Sequence, residues 1–202
     1  MGQGETGEVE RFGAPSARVT GWLTVVVAAL VAGLGVLYLD QGFPEWVAAG
    51  AVLVGVLAWA AMLRPALWVE GDHLVMRNML DTVTVRLAAV EEMALRQVLA
   101  VRADDRRWVS TAVGRSWRRT AISSARKPPS PSDGRPATTV RYADFVEERL
   151  RRLVDDARTA AGVRPGSPEQ LALPDAVRRE RAWVPIVLIA VGVVALAVSF
   201  LL

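Results

Sequence analysis

Residues 21–39, GWLTVVVAALVAGLGVLYL, and residues 46–63, WVAAGAVLVGVLAWAAML, contain no charged side chain. A helix that crosses the hydrocarbon core of a bilayer takes about 20 apolar residues. Residues 40–45, DQGFPE, separate the two runs and are enough for a tight turn. The sequence therefore predicts a transmembrane helical hairpin over residues 21–63.

A third apolar run, residues 183–202, is also of spanning length. Aromatic rings stand at the ends of these runs, where amphipathic side chains sit at the headgroup level of a membrane: Trp22, Tyr38, Trp46 and Trp183. No acidic, basic or amide side chain lies inside the first two runs, whereas a transport path needs such groups at the midplane. We expect a multi-pass membrane protein that is not itself a transporter.

The charges beside the apolar runs predict an orientation. Arg18 precedes the first run and Arg64 ends the second, while the turn between them carries Asp40 and Glu45 but no Lys or Arg. Basic residues also precede the third run: Arg178, Arg179 and Arg181. Because cytoplasmic loops are rich in Lys and Arg, we expect the N-terminus and the middle of the chain in the cytoplasm and the C-terminus outside.

Small residues recur four apart in both runs of the hairpin. Ala29 stands with Gly33, and Ala51 stands with Gly55. Such spacing lets two membrane helices approach closely. The alternative is that these residues reflect composition alone.

Residues 1–20 are polar and rich in Gly, with no periodicity that would build an element, and are interpreted as a mobile cytoplasmic tail. A cleaved signal peptide is the rival interpretation of residues 1–40. No small-x-small cleavage site follows the apolar run before Asp40, so we expect the first span to remain.

The middle of the chain, residues 64–162, changes from helical to alternating periodicity and predicts about six short strands up to Val113. Gly71-Asp72 is suited to a two-residue hairpin turn. In the following strand Val83, Val85 and Leu87 alternate with polar residues and are expected to face the core.

Residues 114–139 carry four prolines and are expected to form a flexible insertion in this domain. Beyond it, apolar residues recur at three-to-four spacing from Tyr142 to Ala157, which predicts an amphipathic helix that closes the sheet and ends near Gly162. Residues 163–182 are then a linker to the third span.

Residues 64–113, together with residues 142–161 as a C-terminal helix, resemble the bacterial PH-like domain family, which occurs in small multi-pass membrane proteins of high-GC bacteria. The stretches that carry this resemblance are Val69-Glu-Gly-Asp-His-Leu-Val-Met-Arg-Asn78, Thr82-Val-Thr-Val-Arg-Leu87 and the segment Val90 to Met93. The resemblance implies two roughly orthogonal antiparallel sheets capped by a C-terminal helix. The expected fold is thus transmembrane α-helices plus a small α+β PH-like domain in the bacterial plasma membrane.

Composition and motifs argue against several functions. The chain has 202 residues, a net charge of +3, one His and no Cys, so disulfide and thiolate chemistry are excluded. Arginines beside membrane spans explain the basic balance without nucleic acid. The lone His73 has no Ser/Asp or Cys set to work with, and Asp104-Asp105 and Glu91-Glu92 are interpreted as solvated pairs at a turn and before a strand. We expect a protein that is not an enzyme and uses no cofactor or metal.

One basic set is the candidate site of the sequence, and it is expected to contact an anionic membrane surface. Its members are Arg115, Trp117, Arg118, Arg119, Arg126 and Lys127. Specific headgroup recognition and a purely topological role of these charges remain the alternatives.

Two functions remain open. The chain is either a membrane-anchored PH-like binding or scaffold module whose protein partner is unknown, or an accessory subunit of a larger membrane complex that interacts mainly through its three spans.

Overall fold

The computed structural model describes residues 9–12, 15–95, 98–112 and 138–201. These residues divide into two compact units. The first, called the sheet unit, lies within residues 1–13, 66–77 and 83–179. The second, called the helix unit, lies within residues 14–65, 78–82 and 180–202. The protein is therefore mixed α+β, with two antiparallel sheets and two long apolar helices.

In the part of the chain that the structure describes, eight strands form the two sheets. They are β1 (Glu10–Phe12), β2 (Ala66–Glu70), β3 (His73–Arg77), β4 (Asp81–Arg86), β5 (Glu92–Leu95), β6 (Leu99–Ala103), β7 (Arg106–Ser110) and β8 (Val177–Arg181). One sheet has the order β1-β2-β3-β4-β8, and the other has the order β5-β6-β7. The six predicted strands are present as β2 to β7, but the meander is divided after β4, because β5 to β7 form a separate sheet.

The described residues also form five α-helices. They are α1 (Pro15–Leu37), α2 (Glu45–Ala58), α3 (Thr138–Ala161), α4 (Pro168–Leu171) and α5 (Trp183–Ser199). Helix α2 continues as a π-helical stretch over Trp59–Leu63, and a 3-10 turn covers Leu87–Ala89.

Two tight turns set the register of the hairpins. Gly71 has φ +59° and leads into Asp72, so Glu70 pairs with His73 across a two-residue loop, as predicted. Asp104 and Asp105 both have positive φ, 56° and 53°, which is the backbone of a type I′ turn. Acidic residues tolerate this left-handed conformation better than most side chains do.

One apolar core fills the sheet unit. The residues predicted to face inward from β4 and its end, Val83, Val85 and Leu87, are buried, whereas Thr82 and Thr84 are half-buried. Helix α3 supplies Val146, Leu150 and Val154 to the same cluster. The prediction that an amphipathic helix covers the sheet is confirmed.

Helix α3 ends where the sequence predicts. Gly162 has φ +67°, Val163 N–H donates to the Arg158 carbonyl at 3.1 Å, and Gly162 N–H donates to the Thr159 carbonyl at 3.1 Å. This pair of bonds is a Schellman motif, which satisfies the last carbonyls of a helix.

Two segments differ from expectation. Within the predicted tail, β1 pairs with β2 and buries Phe12, and α1 already begins at Pro15. Within the predicted linker, β8 joins the edge of the larger sheet, where Arg86 N–H donates to the Ala176 carbonyl at 3.0 Å. A three-residue strand shows no periodicity, and an exposed, charged edge strand shows no apolar alternation, so neither pattern was visible.

In the helix unit, α1 and α2 meet through small residues seven apart. A Cβ added to Gly35 would lie 2.7 Å from the Cβ of Ala48, and one added to Gly55 would lie 3.3 Å from the Cβ of Ala28. One added to Gly21 would lie 2.9 Å from the Cβ of Met62. A seven-residue repeat keeps one seam between two helices in contact along their length.

The predicted pairs of small residues are wrong in part. Gly55 lies in the seam, but Ala29 and Gly33 are exposed, and nothing lies within 4 Å of a Cβ added to Gly33. The physical reason is that Gly21, Ala28 and Gly35 share the face of α1 that meets α2, whereas residues 29 and 33 lie on other faces of the same helix.

The apolar helices agree in part with the predicted spans. Arg18–Leu37 and Glu45–Leu63 are long and apolar enough to cross a membrane, and α5 is a shorter apolar helix of 17 residues.

Replacing Val85 by Asp buries an unpaired charge and should cost the sheet unit at least about 4 kcal/mol of its free energy of unfolding. The matched variant Thr84→Asp places the same charge on the outer face and should unfold like the wild type. Denaturant unfolding of the detergent-solubilised chain, followed by near-ultraviolet circular dichroism, measures both. Equal stability of the two variants would overturn the assignment of the core face.

Replacing Gly35 by Leu should destabilise the contact between α1 and α2 by about 1–3 kcal/mol, because no space exists for the side chain. Gly33→Leu is the matched control and should leave the melting temperature in detergent micelles unchanged. A fall in melting temperature for Gly33→Leu that equals the fall for Gly35→Leu would contradict the seam.

Candidate binding site

The basic set predicted to contact the membrane lies outside the described residues. This holds for all six members: Arg115, Trp117, Arg118, Arg119, Arg126 and Lys127. The predicted insertion at residues 114–139 shares only its last two residues with the described chain, and these belong to α3.

His73 lies beside two charged side chains of the sheet unit. Its Nδ1 is 2.6 Å from Oδ1 of Asp72, whose other carboxylate oxygen is 3.3 Å from Nε of Arg86. Asp72 also anchors the backbone, since its carbonyl accepts from Leu87 N–H at 2.8 Å. Among the described residues, no group of three His, Cys, Asp or Glu side chains is arranged to hold a metal ion.

The two acidic pairs have different environments. Asp104 and Asp105 form the exposed turn between β6 and β7, as predicted. Glu92 is exposed at the start of β5, but the side chain of Glu91 is only 17% exposed. The prediction that Glu91 is solvated is therefore wrong, because its carboxylate accepts from Asp105 N–H at 3.2 Å and pairs with Arg102 at 3.1 Å.

The outer face of the three-stranded sheet forms a groove. A cavity of about 820 Å³ opens over this face. Its lining includes Glu92, Ala94, Val98, Ala100, Arg102 and Arg107. Most of them alternate along the strands with core residues such as Leu95 and Leu99, so the groove lies mainly on the face opposite the core, although the core residue Val101 also lines the cavity.

Two rows of side chains cross the groove. Ala94 pairs with Ala100, which pairs with Val109, and this row is small and apolar. The other row is charged, and its cross-strand partners are Glu92, Arg102 and Arg107. The rows lie two residues apart along each strand, or about 6.8 Å. The alanines leave the space that larger side chains would fill.

The charged side chains of the groove differ in whether they already have an ion-pair partner. Arg102 is held by Asp105, with Nη2 2.7 Å from Oδ1, and by Glu91. The hydrogen bond that Arg102 donates to Asp105, followed by the attraction of both carboxylates, raises the pKa of Arg102. Within the described part of the chain Arg107 and Glu92 are exposed and make no ion pair. The groove thus offers one cation and one anion, about two strand widths apart, to a partner.

A buried set of hydrogen bonds made by Gln170 and Arg158, called the polar clamp, stabilises the sheet unit near Val90. Gln170 in α4 is 1% exposed, and its Nε2 donates to the carbonyls of Ala88 and Val90, each at 2.9 Å. Its Oε1 accepts from Gly166 N–H at 2.7 Å. Arg158 of α3 donates to the same Val90 carbonyl. Three separate segments are therefore joined at one backbone oxygen.

The sequence carries a local signal for the start of α4. Ser167-Pro-Glu-Gln170 has the N-cap, first-turn proline and third-position Gln of a helix start, and Ser167 Oγ accepts from Gln170 N–H at 3.2 Å. What the pattern does not show is that the Gln170 side chain turns inward to the carbonyls near Val90.

No protein-family model, no curated protein and no solved structure matches this chain.

Replacing Gln170 by Met removes the buried hydrogen bonds at nearly constant volume and leaves the Ala88 carbonyl and the Gly166 N–H without partners. We expect a loss of about 2 kcal/mol in the free energy of unfolding, measured by urea denaturation of the detergent-solubilised chain. The neighbouring Leu171→Met, at an exposed position, should change it by less than about 0.5 kcal/mol. A Gln170→Met chain as stable as the Leu171→Met chain would rule out the clamp.

Proposed function

We propose that the chain is a membrane-anchored binding module. Its helix unit inserts into the bacterial plasma membrane, and its sheet unit, a PH-like domain, binds a protein partner at the outer face of β5-β6-β7. The observation that carries the proposal is the contrast between helices whose apolar surface is left open and a sheet unit whose apolar residues close on a core of their own.

The surface of the helix unit supports the membrane anchor. Only 17% of the apolar stretch in each of the two long helices is buried inside the protein, which is unlike the core helix of a soluble domain. Exposed large side chains follow one another along all three helices, and they include Leu23, Leu30, Leu34, Val52, Val54, Val187, Val191 and Val194. Soluble monomers rarely expose apolar area on this scale, because it costs free energy in water.

The architecture of the sheet unit supports the PH-like interpretation. Two antiparallel sheets share one core, and α3 follows the six-strand meander and packs on it. β1 and β8 add a strand at each edge of the larger sheet and are departures from the expected pattern. Because a fold does not specify a ligand, the binding role rests on the groove and not on the resemblance.

The groove favours a protein or peptide partner. An extended peptide alternates its side chains about 6.8 Å apart on one side, which equals the separation of the apolar and charged rows. A peptide laid along the strands can bury an apolar side chain on Ala94 and Ala100 and place a carboxylate near Arg107. Such a site recognises the shape and charge of the peptide and needs no cofactor to bind it.

The distribution of charge supports the orientation that goes with this proposal. Arg18, Arg64 and Arg181 lie beside one set of helix ends, and Asp40 and Glu45 lie in the turn at the other. Under the positive-inside bias, the N-terminus and the sheet unit are cytoplasmic and the C-terminus is external.

An accessory subunit of a larger membrane complex is the second candidate. The observation that favours it is the exposure of Ala29 and Gly33 on α1, since small residues on an outer helix face allow the close approach of another membrane helix. In that case the main interaction surface is the helix unit.

Site-specific crosslinking in intact membranes distinguishes the two. A photoreactive amino acid at Ala94 should give a crosslinked protein that Arg107→Glu abolishes, and one at the exposed Arg151 of α3 should give none. Crosslinking at Gly33 but not at Ala94 would contradict the binding module and support the accessory subunit. Alkaline carbonate extraction of the same membranes tests the anchor, since release of the chain into the supernatant would refute membrane insertion.

A further inference from the structure

Some arginines have a carboxylate partner within the protein and others have none among the described residues. In the sheet unit, six guanidinium groups are paired, as Arg86–Asp72, Arg102–Glu91, Arg149–Glu10, Arg151–Glu147, Arg152–Glu148 and Arg158–Asp155. In the helix unit, Arg18 and Arg181 are exposed and make no ion pair with any described residue. Two cations beside apolar helices thus have no counter-ion among the residues that the structure describes.

Both arginines lie at the same end of the helix unit. The start of α1 meets the end of α2, because a Cβ on Gly21 would lie 2.9 Å from Met62. At this end the Arg64 guanidinium donates to the carbonyls of Asn78 and Met79, the latter at 3.0 Å.

The start of α5 also lies at this end of the helix unit. Ala182 N–H, just before α5, donates to the Leu80 carbonyl at 2.9 Å, in the short segment that also accepts from Arg64. At the opposite end Trp46 stacks on Phe200 with 5.7 Å between ring centroids, so α5 runs antiparallel to α2 along its length. Residues 18, 64 and 181 therefore belong to one end, and Asp40 and Glu45 belong to the other.

A tryptophan lies close in sequence to each of these two arginines. Arg18 and Trp22 are one turn apart on α1, and Trp22 is 61% exposed. Arg181 precedes Trp183, the first residue of α5, which is 63% exposed. An exposed indole next to a guanidinium is the combination that sits at the headgroup level of a bilayer, with the ring among the acyl chains and the cation near the phosphates.

The backbone adds to the attraction for anions. No side chain caps the start of α5, and its first N–H groups point toward this end of the helix unit. Uncapped N–H groups at a helix start carry partial positive charge and favour a negative ligand.

We propose that this end of the helix unit binds the headgroups of anionic phospholipids, with Arg18 and Arg181 as the phosphate-binding groups and Trp22 and Trp183 as their neighbours at the membrane surface. The proposal rests on the proposed membrane anchor and goes beyond it, because an anchor needs only apolar helices and has no preference for the charge of the lipid.

The test is the lipid selectivity of the full chain reconstituted in phosphatidylcholine vesicles. Electron spin resonance with spin-labelled lipids gives the association constant of phosphatidylglycerol relative to phosphatidylcholine. We expect the ratio to exceed one for the wild type and to fall in Arg18→Gln/Arg181→Gln, by about fivefold for each arginine that contacts a phosphate. High salt should lower the ratio of the wild type.

Two further variants make the result specific. Arg151→Gln/Arg152→Gln removes the same charge from ion-paired, exposed positions of α3 and should leave the ratio at the wild-type value. Arg18→Lys/Arg181→Lys keeps the charge and should retain most of the selectivity.

A ratio of one for the wild type, or equal ratios for the two double glutamine variants, would overturn the lipid site. Failure of the anchor is seen separately, as release of the chain from the same vesicles by alkaline carbonate.

Discussion

A single apolar core between two open sheets is the constraint on which the sheet unit depends. Each sheet has one face that must leave water, and neither sheet is closed by itself. Val85 from the larger sheet, Val101 from the smaller one and Leu150 from α3 belong to one buried cluster and are 0% exposed. The core consequently decides where α3 lies, which face of β5-β6-β7 remains outside, and hence where the groove forms.

The polar clamp at Val90 stabilises the relative positions of the two sheets and α3. Burying the amide of Gln170 is affordable only because each of its polar atoms has a partner, two of them carbonyls in the segment that joins the two sheets. Arg158 reaches the same segment from α3 and also pairs with Asp155. The end of α3, the short α4 and the connection between the sheets are thus mutually dependent, and the outer groove is built on a sheet that has little freedom to shift.

The helix unit is packed differently. Its helices approach each other closely at positions where one residue has a small side chain or none. Gly35 and Gly55 bring α1 and α2 together along a seven-residue repeat, and Gly192 of α5 would meet Leu53 at 3.0 Å if it carried a Cβ. Guanidinium groups have different partners in the protein: Arg158 pairs with Asp155 in the sheet unit, Arg64 donates to backbone carbonyls at a helix end, and Arg18 and Arg181 are exposed without an ion pair to a described residue.

The sequence alone determined the elements whose pattern is local: the uncharged runs of α1 and α2, the Gly71-Asp72 hairpin, the inward face of Val83 and Val85, and the end of α3 at Gly162. Each depends on periodicity or on the backbone freedom of one residue, which a short window contains. Only the tertiary structure decided that Phe12 and the charged Val177–Arg181 segment join a sheet, that Gly35 and not Gly33 lies in the helix seam, and that Glu91 is shielded by Arg102. These outcomes depend on partners far away in the chain, and charged edge strands and isolated polar residues carry no local mark of such partners.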